Sequence, residues 1–166
     1  MTTASVRSTL AVVPNRPNNR LNEREIMPFK AERVDTWAAS IEDKPGSLAS
    51  KLSALASAGV NLEFVIGRRA PEKPAKGVVF VTPIKGSNGS RVARQAGFEK
   101  TNSLHTIRIE GSDKAGQVAK ITQALADKGL NVRGLSAAAI GKTFVTHIAL
   151  DTAANATTAA RIIRAL

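Results

Sequence analysis

The chain has 166 residues and a mass of 17.5 kDa, enough for one ordinary domain or two small ones. Its composition is that of a globular protein, with 43% hydrophobic and 22% charged residues. The absence of cysteine excludes a cysteine nucleophile, a disulfide framework and any cysteine-ligated metal centre. A net charge of +11 raises the question of an anionic partner, which could be nucleic acid, lipid or a small molecule.

Residues 1–30 are expected to form a tail, because the polar segment 14–20 contains two prolines and has no apolar periodicity. We also consider that Met27 is the natural start and that the residues before it are artefactual. No apolar run approaches the roughly 18 residues of a membrane span, and no signal peptide is evident. We therefore expect a cytoplasmic protein without a membrane partner.

An internal repeat organises the rest of the chain. Asp43–Gly46, which reads Asp-Lys-Pro-Gly, recurs as Asp113–Gly116 at an offset of 70 residues. The segment Gly59–Leu62 falls on Gly129–Val132 at the same offset, and further on the offset becomes 64. The first copy therefore carries six extra residues around 68–74, a segment with two prolines that we expect to be a loop.

In chain order, each copy predicts a strand, a helix, two strands and a second helix. Alternating apolar residues indicate the strands, and apolar residues at helical spacing follow each Asp-Lys-x-Gly turn. Gly59 and Gly129 lie where the first helices should end, and Pro83 should end a strand. The second helices are expected at roughly 90–96 and 153–165.

This order predicts an α+β fold: two ferredoxin-like βαββαβ units in tandem, with antiparallel sheets and helices on one face. The first unit is expected at residues 31–101 and the second at 102–166. The sequence ends after the helix near 153–165, so the second unit lacks its final strand. Either the segment 29–34 or a partner chain could supply that edge.

The repeated motif resembles the ACT domain family of amino-acid-sensing regulatory modules. The resemblance rests on Ile41–Leu48, reading Ile-Glu-Asp-Lys-Pro-Gly-Ser-Leu, followed by Ala58–Leu62, reading Ala-Gly-Val-Asn-Leu. It recurs in weaker form at Glu110–Gly116 and Lys128–Val132, so it covers roughly residues 34–166. It implies a tandem ACT-like protein that binds an amino acid or another small effector where two units pack side by side.

The resemblance also implies which residues line that site: Asp43, Lys44, Pro45, Gly46, Asn61, Asp113, Gly116 and Asn131. The residues are physically suited, because a turn that opens a helix presents free N–H groups to a carboxylate and an asparagine both donates and accepts. A purely structural interpretation is also open, in which Asp43 only caps the helix and Asn61 only follows the helix end. Ala115 replaces the proline in the second copy, so one of the two sites could be empty.

Two other classes of function remain open. One is an adapter that binds another protein without any small ligand. The other is an RNA-binding module, because Lys76–Val81 partly resembles the third-strand motif of RNA-recognition domains. Val78 and Pro83 stand where stacking aromatics are needed, so nucleic acid is the less favoured partner.

An enzyme is not expected. His105 and His147 lie among strand-like residues without a clear acidic partner, and the aspartates show no metal-ligand spacing. The sequence therefore predicts a non-catalytic regulatory protein that forms a homo-oligomer and uses neither a cofactor nor a metal.

Overall fold

The computed structural model describes residues 28–166, so the predicted tail up to residue 27 and the proposed start at Met27 lie outside the described residues. The described part forms two four-stranded antiparallel sheets with four helices, which confirms the predicted α+β class. The elements are β1 (Lys30–Val34), β2 (Trp37–Glu42), α1 (Ser47–Ser57), β3 (Phe64–Arg69), β4 (Lys76–Thr82), α2 (Gly86–Gln95), β5 (Glu99–Lys100), β6 (His105–Ser112), α3 (Gln117–Ala126), β7 (Gly134–Ile140), β8 (Thr143–Leu150) and α4 (Ala153–Arg164).

The first unit consists of the sheet β3-β4-β2-β5 with α1 and α2 on one of its faces. Alternate residues of β2 and β4 point to that face, because successive side chains of a strand point to opposite sides. Trp37, Val79 and Val81 from the sheet pack there with Leu55 of α1 and with Phe98. Pro83 directly follows β4, as its missing N–H predicted.

The second unit consists of the sheet β1-β6-β8-β7, with α3 and α4 packed on one face. Its edge position is filled by β1 from the start of the described chain, which pairs antiparallel with β6 from Lys30–Glu110 to Val34–Thr106. Of the two candidates for this edge, the segment 29–34 and a partner chain, the structure therefore uses the segment within the chain. The strand covers an edge of β6 that would otherwise present unpaired backbone groups.

This pairing changes the predicted boundaries at the N-terminal side. Residues 28–30 were expected in the tail and 31–34 in the first unit, yet β1 hydrogen-bonds to the second sheet. Phe29 is buried against Phe144, with the ring centroids 6.0 Å apart in an edge-to-face arrangement. The predicted boundary followed the order of the sequence, but strands that pair in a sheet need not be neighbours in the chain.

The helix ends follow the sequence signals closely. Beyond α1, the N–H of Gly59 donates to Ala56 O and the N–H of Val60 to Leu55 O, which is the Schellman arrangement. Gly129 makes the equivalent bond after α3. In contrast, α2 begins four residues before the expected residue 90. The sequence did not indicate this first turn, because its residues, Gly-Ser-Asn-Gly, have little helical propensity.

The two units contact each other through the sheet faces that carry no helices. The hydroxyl of Thr36 donates to that of Thr106 at 2.7 Å, and both residues are buried. The ring of Phe64 in β3 stacks on His147 in β8 with a centroid distance of 4.3 Å. Residues of both units therefore meet across this interface, and the contact positions the inter-sheet cavity described below.

Candidate functional site

The two predicted turns have the same local geometry. Gly46 and Gly116 adopt φ angles of 86° and 84°, a left-handed conformation that favours glycine. Each begins a helix, and neither helix has a side-chain cap, so the N–H groups of the first turns have no capping side chain. The structural interpretation of Asp43 as a cap is therefore wrong: its carboxylate instead contacts Arg69 Nε at 3.0 Å.

The turn of the first unit borders a surface cavity of about 380 Å³. Lys44, Pro45 and Gly46 line it together with the end of β2 and the first turns of α1. In the second unit, Asp113 donates its backbone N–H to Lys142 O at 2.9 Å, and Gly116 begins α3 as Gly46 begins α1. The repeat detected in the sequence is thus also a repeat of backbone geometry.

Asn61 does not lie beside the turn of its own unit. It lines a different cavity of about 490 Å³ with Glu63, Lys85 and the first turn of α2. The helix α1 has 11 residues and is about 16 Å long, and the turn and Asn61 lie at its opposite ends. A single amino acid therefore cannot contact both within one unit. Asn131 is exposed, and its Oδ1 accepts a hydrogen bond from the N–H of Val132 at 3.0 Å.

Sequence reasoning missed a cluster of charged residues between the units. Arg108 of β6 is only 15% exposed and lies 2.9 Å from Glu110, 3.4 Å from Glu63 and 3.5 Å from Glu32. The three carboxylates come from the second sheet, the first unit and the N-terminal strand, so Arg108 links three parts of the chain. A hydrogen bond from Arg108 lowers the pKa of Glu110. The available signal in the sequence was that Arg108 and Glu110 alternate with the apolar residues of β6.

A third cavity, of about 330 Å³, lies between the helix-free faces of the two sheets. Phe64, Ile66 and Phe80 line it from the first unit, and Leu104 and Leu135 from the second. Phe80 thus lies at the interface between the two units. His147 also lines this cavity. Burial lowers the pKa of His147, and the nearby charge of Arg108 lowers it further.

Within residues 28–166, no three histidine or acidic side chains lie close enough to share a metal ion. Over the same range, no helix is both long and apolar enough to cross a membrane.

The family comparison matches residues 105–166 to the ACT domain. An ACT domain is therefore found in the second half of this chain, from the start of β6 onwards. The first unit has the same order of strands and helices, and the two sheets are consistent with a tandem arrangement. The family resemblance drawn from the sequence is confirmed. No curated protein matches the sequence.

Several solved structures share this fold. Protein BT0572 from Bacteroides thetaiotaomicron superposes with a TM-score of 0.67 at 14% identity, covering 79% of this chain and 88% of that chain. The ligand-free regulatory subunit of aspartate kinase from Thermus thermophilus gives 0.57 at 19% identity, covering 84% and 97%. The corresponding Thermus flavus subunit gives 0.54 at 18%, with the same coverage. At these identities the similarity establishes the fold alone.

Proposed function

We propose that this protein is a non-catalytic regulatory protein that binds a small amino-acid effector between paired ACT-like units. The supporting observation is the open turn that begins α1, whose glycine has a positive φ and whose first N–H groups have no capping side chain. Nothing lies within 4 Å of the position of a Cβ on Gly46, so a ligand can approach the backbone there. The aspartate kinase subunits that share the fold are themselves described as regulatory.

The chemistry of an amino acid fits these groups. Its carboxylate would accept from the N–H groups of a helix start, where the helix dipole also favours negative charge. Its ammonium group would donate to the side-chain oxygen of Asn61 or Asn131. The residues proposed to line the sites are Asp43, Lys44, Pro45, Gly46, Asn61, Asp113, Gly116 and Asn131.

The separation of the turn from Asn61 makes oligomerisation part of the proposal. Because the two lie at opposite ends of α1, the turn of one unit would have to meet the asparagine of another unit. Each bound effector would then lock two units together and shift the population of their arrangements without any chemical step. We place this homo-oligomer in the cytoplasm.

The proposal is tested by a thermal-shift screen of the twenty amino acids, followed by calorimetry on any hit. An effector at about 100 times its Kd stabilises by about 2.7 kcal/mol, which raises the Tm of a chain of this size by several degrees. The double variant N61A/N131A should lose the response. The control N102A/N155A, which removes two other asparagines, should keep it. If both variants bind the effector with equal affinity, Asn61 and Asn131 are not part of the effector site.

An adapter that binds another protein is the second candidate. The outer strands β3 and β7 expose Val65, Ile66, Leu135 and Ile140, the last with 68% of its surface accessible. Unpaired strand edges of this kind can pair with another chain. A screen without any amino-acid hit, together with saturable binding of a purified protein that Ile140→Lys abolishes, would favour this function. Salt-sensitive RNA binding would instead favour the third alternative.

A further inference from the structure

The cavity between the two sheets is separate from the proposed effector positions. None of the eight residues proposed for the effector lines it. Its volume of about 330 Å³ lies at the lower end of the range of small-molecule sites, roughly 300–1,000 Å³. Both units contribute walls, so a molecule held there would touch the two sheets at once.

Most of the lining is apolar. Ile66 and Phe80 are directly opposite each other in the β3–β4 register and therefore share one face of the first sheet. Leu104 lines the cavity from the second unit. Ile66 is still 38% exposed, although it lines the cavity. An apolar group placed against Ile66 would remove this surface from water.

The charged lining residues are two arginines, Arg68 and Arg133, and no carboxylate lines the cavity. Arg133 is anchored by Ser103 O at 2.9 Å and faces Asp151 at 3.5 Å. Arg68 bonds only to the backbone oxygen of Arg69 at 3.3 Å and lies in no ion pair within residues 28–166. The neighbouring Arg69, in contrast, is paired with Asp43. The cavity thus offers a guanidinium group without an acidic partner.

One buried polar residue also borders this space. His147 lines the cavity with 6% of its surface exposed, and its Nε2 has no hydrogen-bond partner among the described residues. Unpaired buried polar atoms are uncommon in native structures and usually have a functional or structural explanation. The unpaired nitrogen thus belongs to a residue that forms part of the cavity lining.

We propose that this inter-sheet cavity binds a small carboxylate with an apolar body. The body lies between the Ile66–Phe80 wall of the first unit and Leu104 of the second, and the carboxylate pairs with the guanidinium of Arg68. Arginine suits this role because its planar group pairs with both oxygens of a carboxylate. The bound molecule bridges the two units and stabilises their packing. This site is independent of the amino-acid effector site.

The test uses 3-phenylpropionate as the probe and neutral 3-phenylpropan-1-ol as its matched control, both measured by calorimetry on the full chain. The carboxylate should bind saturably, at least 10-fold more tightly than the alcohol. Arg68→Gln should weaken binding of the carboxylate at least 10-fold. Arg69→Gln, at the adjacent residue that does not line the cavity, should leave its affinity within 2-fold of the wild type.

A second variant tests the cavity without changing a charge. A Cβ on Gly134 would lie 3.9 Å from the Cβ of Ala149, an ordinary contact, so Gly134→Val fits the strand and fills part of the space. This variant should fold and lose the probe. The N61A/N131A variant should bind the probe normally, which separates this site from the effector site. Absence of binding to the wild-type chain, or equal binding by Arg68→Gln and Arg69→Gln, would overturn the proposal.

Discussion

Thr36 and Thr106 occupy equivalent positions of the two repeats, 70 residues apart, and their hydroxyl groups are hydrogen-bonded to each other at 2.7 Å. A residue that contacts its own counterpart lies next to the axis that relates the two copies, as in a symmetric dimer. The pair is buried, so the two hydroxyl groups satisfy each other away from water. The two copies of the repeat therefore contact each other through equivalent surfaces.

The two threonines should be energetically coupled. Thr36→Val removes the donor and leaves the buried hydroxyl of Thr106 without this partner, and Thr106→Val does the reverse. Each single variant should lower the free energy of unfolding by about 1–3 kcal/mol. The double variant should cost clearly less than the sum of the two, because no unpaired hydroxyl remains. Urea unfolding of the four proteins measures the coupling, and strictly additive losses would contradict it.

Phe29 should stabilise the second unit specifically. It is 8% exposed and packs edge-to-face on Phe144 beside the strand that completes the sheet. Phe29→Ala should cost about 3 kcal/mol by opening a cavity in that core. Hydrogen exchange should then accelerate in β6 and β8 but not in β4. The matched variant Phe98→Ala, in the core of the first unit, should produce the opposite pattern. Equal acceleration in both sheets would show that the units unfold as one.

Arg108 should stabilise the folded chain through its contacts with three carboxylates. Arg108→Met leaves Glu32, Glu63 and Glu110 without their shared cation, which should lower the free energy of unfolding by about 2 kcal/mol at pH 7. The control Arg91→Met removes an exposed guanidinium that bonds only to Asn88 and Gln95, and should change the stability by less than about 0.5 kcal/mol.

The pH dependence of this contribution follows from the lowered pKa of Glu110. Its stabilisation is fully present above the ordinary pKa of glutamate, about 4.3, and is lost as the pH falls through the lowered value of the folded state. The stability of the wild type should therefore approach that of Arg108→Met as the pH falls below about 4.3. Urea midpoints measured between pH 7 and pH 3 test this, and a constant difference would contradict it.

His147 should make the fold sensitive to mild acid. Its pKa is lowered by burial and by Arg108, so the unfolded chain binds a proton there more readily than the folded chain. The associated stability is full above the ordinary pKa of about 6.5 and falls as the pH drops through the lowered value. His147→Phe keeps a ring to stack on Phe64 and should flatten the stability profile below pH 6.5. Urea unfolding between pH 8 and pH 5 measures the slope, and an unchanged slope in His147→Phe would refute the assignment.

Parts of the candidate site were readable from the sequence and parts were not. The Asp-Lys-x-Gly motif correctly predicted the turns at Gly46 and Gly116. Each turn needs a residue with a positive φ just before the helix, and the glycine of the motif supplies it. The separation of Asn61 from its own turn was not readable, because it depends on where the two ends of α1 lie in space. The cluster around Arg108 could not be predicted either, since its partners Glu32 and Glu63 are distant in the sequence.

The sequence by itself determined the duplication, the element order of both units and the C-terminal ends of α1 and α3, because these depend on local periodicity and on turn-forming residues. Only the tertiary structure decided that β1 completes the second sheet rather than the first, because any strand with free backbone groups can fill an open edge. It also decided that the helix-free faces meet, which brought Phe64 to His147 and enclosed the cavity lined by Arg68 and Arg133. Contacts of this kind depend on packing between distant segments, and the spacing of residues within one repeat does not encode them.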